Sequence, residues 1–362
     1  MKKETLVNCI KAAVFTGIAA ALFVPVSYIL RPSIDNRKQA FAGFYSEPQD
    51  SLDLVFMGSS SVYPYYALPY LWKEYGYTGG MLSTSIQRAE NIPYLVKEAA
   101  KTQTPMLMVI EMRMFYRSRE ISDQEEVRFF NHVTVDNLKY SKNRFELIYN
   151  TYLHTSVSDY VDFIRYHGGW KDFTPQDIRF WDYKDHDPYK GFAFNAEVDP
   201  QQPPLQYSDE EVLPLYDYRI EEIGSLMDYC GENGITPLFI YSPYCLDAED
   251  QQMSDTMGAI IRERGYEYID FNHLYEELGI DFATDFYNDG HVNIHGAMKV
   301  TDYLGRYIRE HYGAAPAHPA EITAEWEADY AVWKADYDAC MAEWEENAAA
   351  VKAEQTEQAA AE

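Results

Sequence analysis

The chain has 362 residues, 47% of them apolar, enough for one large or two ordinary domains with a sizeable core, so disorder is excluded as the default. Its 58 acidic and 30 basic residues give a formal charge of −28, which repels phosphate backbones and anionic lipid surfaces by sign and excludes nucleic acid as a natural partner. Aromatic residues make up 15%, with 32 tyrosines, a share that suits wide aromatic or glycan-contacting surfaces and suits core packing equally well.

The first element is AAVFTGIAAALFVPVSYIL (12–30), 19 residues without a charge, close to the ~20 that cross a hydrocarbon core as a helix. Lys2, Lys3 and Lys11 precede it, so the positive-inside bias predicts a cytoplasmic N-terminus and an exterior remainder, with Arg31 and Lys38 weakening the asymmetry. A cleaved signal peptide shares the basic start and apolar run, but the length of the run and the lack of an A-x-A site favour an uncleaved anchor. Residues 1–31 are thus read as a cytoplasmic start plus transmembrane anchor, and 32–52 as a linker. Cys9 precedes the span, leaving Cys230, Cys245 and Cys340 beyond it, an odd set without the close spacing of a disulfide framework or metal cluster.

From Asp53 onward, strand-like and helix-like segments alternate as in a parallel α/β sheet. The strands are DLVFMG (53–58), GGMLS (79–83), PMLMVIEM (105–112), TPLFIYSP (236–243) and YEYIDF (266–271). An amphipathic helix precedes the fourth strand and stops at ENG (232–234), and a last periodic helix spans about 294–312. Five strands with crossover helices predict a flavodoxin-like, three-layer, doubly wound sheet over 53–315. The alternation disappears between about 118 and 214, an aromatic stretch carrying YHGGWKDFT and DYKDHDPYKGFAFN. This reads as an insertion over the C-terminal edge of the sheet, or as a packing subdomain with no substrate role. PAHP (316–319) then breaks the chain, and the acidic tail (316–362) places Trp326, Tyr330, Trp333, Tyr337, Cys340 and Trp344 at alternating spacings of four and three. That stripe predicts a helix docked by one aromatic face on the body or on a partner, fraying after about Val351.

Chemistry concentrates at two blocks. GSSS (58–61) follows the first buried strand, where a nucleophile stands exposed above a parallel sheet with backbone N–H groups beside it. The plainer reading is a turn whose hydroxyls cap the next helix. The second block, DFYNDGHVNIHGAMK (285–299), leads through His291 into the last helix at the same edge of the sheet. His291 and His295 also have a metal-ligand spacing near Asp289, but no third ligand cluster accompanies them, so no metal is expected.

Taken as a pair, the GSS block and the N-x-x-H-x-N-x-x-G-A block resemble the SGNH/GDSL hydrolase and acyltransferase superfamily over about 53–312. Within it the chain is most similar to membrane-anchored bacterial cell-surface members, such as the teichoic-acid D-alanyl transfer protein and polysaccharide O-acetyltransferases. The resemblance implies Ser60 as nucleophile and, through its N–H, one oxyanion donor; Ser83 aligns with the second donor, and His291 is the general base. The family's acid falls on Asn288, with Asp289 one place later and Asp285 nearby as substitutes. The third oxyanion block has no counterpart, since Glu111-Met-Arg113 stands there. Arg113 is accordingly read as binding an anionic substrate or oxyanion, or as a partner of Glu111. The activity implied is cofactor-free acyl transfer or ester hydrolysis on an envelope polysaccharide or teichoic acid, with a membrane-bound O-acyltransferase as the implied partner. The rival expectation is a non-catalytic glycan-binding or scaffold protein, favoured by Asn288.

Overall fold

The computed structural model describes residues 3–34, 36–116, 124–152, 154–204 and 215–361. The two ends of the predicted insertion, 118–123 and 205–214, lie outside the described residues.

Five strands form one sheet: β1 (Leu54–Gly58), β2 (Gly79–Ser83), β3 (Leu107–Glu111), β4 (Pro237–Tyr241) and β5 (Tyr268–Asp270). The order is β2-β1-β3-β4-β5 and every pairing is parallel. All five strands are buried along their whole length, as expected when both faces of a parallel sheet are covered. Alternate residues of β1 serve different cores: Val55 and Met57 pack with the helices Ile92–Ala99, Asp217–Glu232 and Ala248–Glu263, while Leu54 and Phe56 pack with Leu68–Tyr75 and Ile294–Tyr312. The period of two along each strand therefore feeds two separate apolar layers.

Three parts of the chain differ from the sequence reading. The supposed linker holds a helix, Arg37–Ser46, whose Phe41 and Phe44 are buried against the domain. The acid-rich turn before the last helix is a small antiparallel hairpin, β6 (Phe286–Asn288) with β7 (His291–Val292). The tail is helical from Ala320 through Ala361 without fraying at Val351, because its Ala, Glu, Gln and Lys residues are strong helix formers.

The tail docks on the body by the predicted stripe. Trp326 packs on Trp72 with ring centroids 5.7 Å apart, Trp333 stacks on Phe194 at 6.1 Å, and Trp344 donates its indole N–H to the Thr284 carbonyl at 2.9 Å. The first half of the insertion, with helices Gln124–Val135 and Lys142–Thr151, packs beside the end of the N-terminal helix (Lys3–Leu30). The second half returns along the sheet, where Ala193 N–H donates to the Tyr63 carbonyl (2.9 Å) and Ile294 N–H to that of Asn195 (2.8 Å). The insertion thus touches the chain just after the serine turn and the start of the last helix.

Candidate active site

β1 ends at Gly58 because nothing larger fits: a Cβ there would stand 2.6 Å from Val62 and 2.8 Å from Glu111. The turn that follows does not cap the next helix, whose N-terminus at Ala67 has no side-chain cap. The three serine hydroxyls have separate partners. Ser61 is buried and donates to the Glu111 carboxyl at 2.5 Å, Ser59 lies 3.0 Å from Ser61, and Ser60 lies 2.8 Å from Nε2 of His291.

The hairpin β6–β7 presents His291 to Ser60. Its Nδ1–H donates to Oδ1 of Asn288 at 2.9 Å, and the same oxygen accepts the Gly290 N–H at 2.9 Å. Two donors converging on one atom fix the amide with its oxygen toward the imidazole. The proton is thereby held on Nδ1, leaving Nε2 as the acceptor for the Ser60 hydroxyl. The Tyr287 ring stacks on the imidazole at 5.3 Å and 11°.

The carbonyl of Gly290 is gripped from behind by two donors, the Tyr65 hydroxyl at 2.9 Å and the Arg113 guanidinium at 2.6 Å. Burial pushes the Tyr65 hydroxyl well above the usual phenol range, so it stays a neutral donor. Arg113 lies 3.5 Å over the Tyr244 ring, and its Nε has no acceptor among the described residues. Its guanidinium thus braces the histidine turn, while its backbone N–H, rather than its side chain, meets Glu111 (3.1 Å).

Glu111 is fully buried at the end of β3, below the serine turn. Its carboxyl accepts from Ser61, from Arg113 N–H and from Ser242 N–H at 3.4 Å, and the Ser242 hydroxyl donates onward to the Ser61 carbonyl at 2.8 Å. Burial pushes this carboxyl up to about 7, against the opposing pull of those hydrogen bonds and of Arg113. Ser83 ends β2 in register with Gly58, at the same edge as Ser60, and its buried hydroxyl has no partner among the described residues.

The two carboxylates offered as substitutes for the family acid point elsewhere. Asp289 is exposed and meets Cys245 through its backbone carbonyl at 2.9 Å. Asp285 is buried and holds His295 (2.6 Å) and Lys299 (2.6 Å), hydrogen bonds that keep it below the usual carboxylate range in spite of its burial. His295 stacks on Trp344 at 3.9 Å, so the second histidine belongs to the tail interface rather than to the His291 site.

Tyr65, Tyr287 and the Ser61–Glu111–Ser242 network were not singled out in the sequence as parts of the site. One signal was present: Glu111 is an acid at the end of the apolar run PMLMVIEM. The tyrosines carry no local mark, because their roles depend on contacts across the fold. No family model matches the chain, and no curated protein matches it.

Proposed function

We propose that this chain is an SGNH-type serine esterase or O-acyltransferase of the bacterial cell envelope, working through Ser60, His291 and Asn288. The observation that carries the reading is the unbroken hydrogen-bond chain from the Ser60 hydroxyl through both imidazole nitrogens to the Asn288 amide oxygen. The strand order 2-1-3-4-5 supports a flavodoxin-like, doubly wound SGNH arrangement, with the site at the C-terminal ends of β1 and β2.

In this mechanism Nε2 of His291 takes the Ser60 proton as Oγ attacks the carbonyl carbon of an acyl ester. The tetrahedral oxyanion is met by the backbone N–H groups of Ser60 and Ser83. Collapse breaks the ester C–O bond, the imidazolium returns its proton to the leaving alkoxide, and an acyl-Ser60 ester remains. Water or a sugar hydroxyl, deprotonated by His291, then attacks that ester and regenerates Ser60. Asn288 orients the imidazole without lending a full negative charge, which makes this base weaker than one backed by a carboxylate.

The setting in this reading is a single-pass anchor with a cytoplasmic N-terminus and the catalytic domain outside. The substrates are acyl esters, acetyl above all, of an envelope polysaccharide or teichoic acid, and a membrane-bound O-acyltransferase is the partner that would deliver acyl groups. A second reading, a glycan-binding or scaffold protein without turnover, is favoured by one observation, the amide of Asn288 in place of an acid. Release of acetate from p-nitrophenyl acetate and from an O-acetylated glycan separates the two. Turnover lost in Ser60→Ala supports the enzyme, and none above that variant supports the scaffold.

A further inference from the structure

The N-terminal helix is the one element long and apolar enough to cross a membrane among the described residues, and its surroundings change abruptly near its end. Residues 4–23 are exposed, whereas Ser27, Tyr28 and Arg31 are buried against the domain. The attachment is made by paired charges and stacked rings. Arg31 donates to Asp162 at 2.6 Å, Asp162 also holds Arg144 at 2.5 Å, and Tyr28 stacks on Tyr140 at 5.8 Å. Lys38 seals the helix end by donating to the carbonyls of Ile29 (3.2 Å) and Arg31 (2.9 Å).

The charge pattern sets the depth of this helix. Lys11 is the last charged residue before Arg31. A lysine is costly at the bilayer centre, which drives Lys11 to the near interface. From there a hydrocarbon core of about 30 Å consumes about 20 residues, so it extends to the neighbourhood of Leu30. Residues 24–30 are then both the last part of the span and the part packed on the domain. Whatever packs on them lies at the depth of the far leaflet.

The wall that does so is the segment 157–182, and its outer surface suits that depth. It exposes Phe163, Ile164, Trp170, Phe173, Ile178 and Trp181, with Trp170 68% and Trp181 53% exposed. This patch is continuous with the helix: Phe163 meets Phe23 at 6.5 Å, and a Cβ on Gly169 would lie 3.3 Å from the Leu30 carbonyl. Two of its acids are turned inward, Asp159 to Arg128 and Arg165, and Asp162 to Arg31 and Arg144. Lys171, Asp172 and Arg179 are exposed on the same segment, and Arg179 pairs with Asp185 at 3.1 Å. Exposed tryptophans beside a membrane exit, backed by short amphipathic turns, are the chemistry of an interfacial anchor.

We infer that residues 157–182 form a second membrane contact, seated in the headgroup and upper acyl region of the leaflet through which the N-terminal helix leaves, with Trp170 and Trp181 as its anchors. It rests on the reading of that helix as a membrane anchor. The domain is then held against the bilayer in one orientation and does not swing on a tether.

The test is tryptophan quenching of the full chain reconstituted in phosphatidylcholine–phosphatidylglycerol vesicles whose acyl chains are brominated either near the headgroup or near the chain end. Of the other four tryptophans, Trp72, Trp326 and Trp333 are buried and Trp344 is half-buried against His295 in the tail interface, so quenching by lipid should come from the exposed pair, and the double variant reads any share from Trp344. The expected result is strong quenching by the shallow bromines, weaker quenching by the deep ones, and loss of both in Trp170→Phe/Trp181→Phe. Flotation of the vesicles after alkaline carbonate reports the anchor separately. A carbonate-resistant chain whose Trp170 and Trp181 stay unquenched by lipid and open to aqueous acrylamide keeps the anchor and overturns the second contact. Protection of the pair only when native membrane proteins are added also overturns it, by making the patch a protein-binding face. A chain that carbonate strips from the vesicles overturns anchor and contact together.

Discussion

His291 donates its Nδ1–H to the side-chain oxygen of Asn288 across 2.9 Å, and that oxygen also takes the Gly290 N–H at 2.9 Å. In a serine enzyme an asparagine beside the histidine is damaging when its NH2 turns inward and imposes the wrong tautomer, a loss of roughly 10⁴ in rate. The Gly290 N–H prevents that rotation here. Only the missing charge is left to pay for. Asn288→Asp should therefore raise the rate of acylation by about tenfold, far less than the full tautomer penalty, and Asn288→Ala should lower it by on the order of 10²-fold. Stopped-flow acylation with p-nitrophenyl acetate checks both, and a slower Asn288→Asp variant would contradict the assignment.

Glu111 makes stability depend on pH. Its carboxyl is raised in the folded protein from 4.5 to about 7, so the folded state binds the proton more tightly than the unfolded chain. The resulting stabilisation is fully present below about 4.5 and is lost as pH rises to about 7, amounting to roughly 3 kcal/mol. Glu111→Gln, which mimics the protonated form and keeps an acceptor for Ser61, should flatten urea-derived stability over this window. An unchanged pH dependence in that variant would place its source elsewhere.

Tyr65 and Arg113 act on the histidine turn from behind, both donating to the Gly290 carbonyl. Tyr65→Phe removes a hydroxyl whose proton the Gly290 and Pro243 carbonyls share, worth about 1 kcal/mol, and Arg113→Ala removes a bond and the packing on Tyr244. Both variants should lower kcat with little change in KM, because neither side chain is expected to touch substrate. A change confined to KM for Arg113→Ala would instead give it the substrate-binding role raised by the sequence.

The tail is part of the fold. Trp333 is buried between Phe194 of the insertion and Tyr337 of its own helix, with ring centroids at 6.1 and 4.9 Å. Trp333→Ala should cost about 3–5 kcal/mol in thermal or urea unfolding. A cost below about 1 kcal/mol would mean that the stripe serves a partner rather than the body.

How far the sequence carried this reading varied with the range of the interactions. The five strands were legible because each is an apolar run buried on both faces, and 79–83 and 294–312 were located to the residue. The aromatic stripe of the tail was legible because heptad spacing is a local property. The helix at 37–46 was hidden by its polar start, RKQ: Arg37 is buried through a contact to Gly191, 154 positions away, and Lys38 by turning back onto the carbonyls of Ile29 and Arg31, a capping that no apolar periodicity marks. Ser60 stood out by its place after the first strand, and His291 by its place in the turn that leads into the last helix. The grip of Tyr65 and Arg113 on Gly290 did not, since those residues lie about 225 and 177 positions away from it.

The central claim is that Ser60 is an activated nucleophile. The direct measurement is labelling of the full chain in detergent with a fluorophosphonate, with the adduct located by mass spectrometry and Ser60→Ala and His291→Ala run alongside. The expected result is an adduct on Ser60 that is absent from Ser60→Ala and lost or strongly slowed in His291→Ala. A folded protein that carries no label at Ser60, or labels equally well without His291, would contradict it.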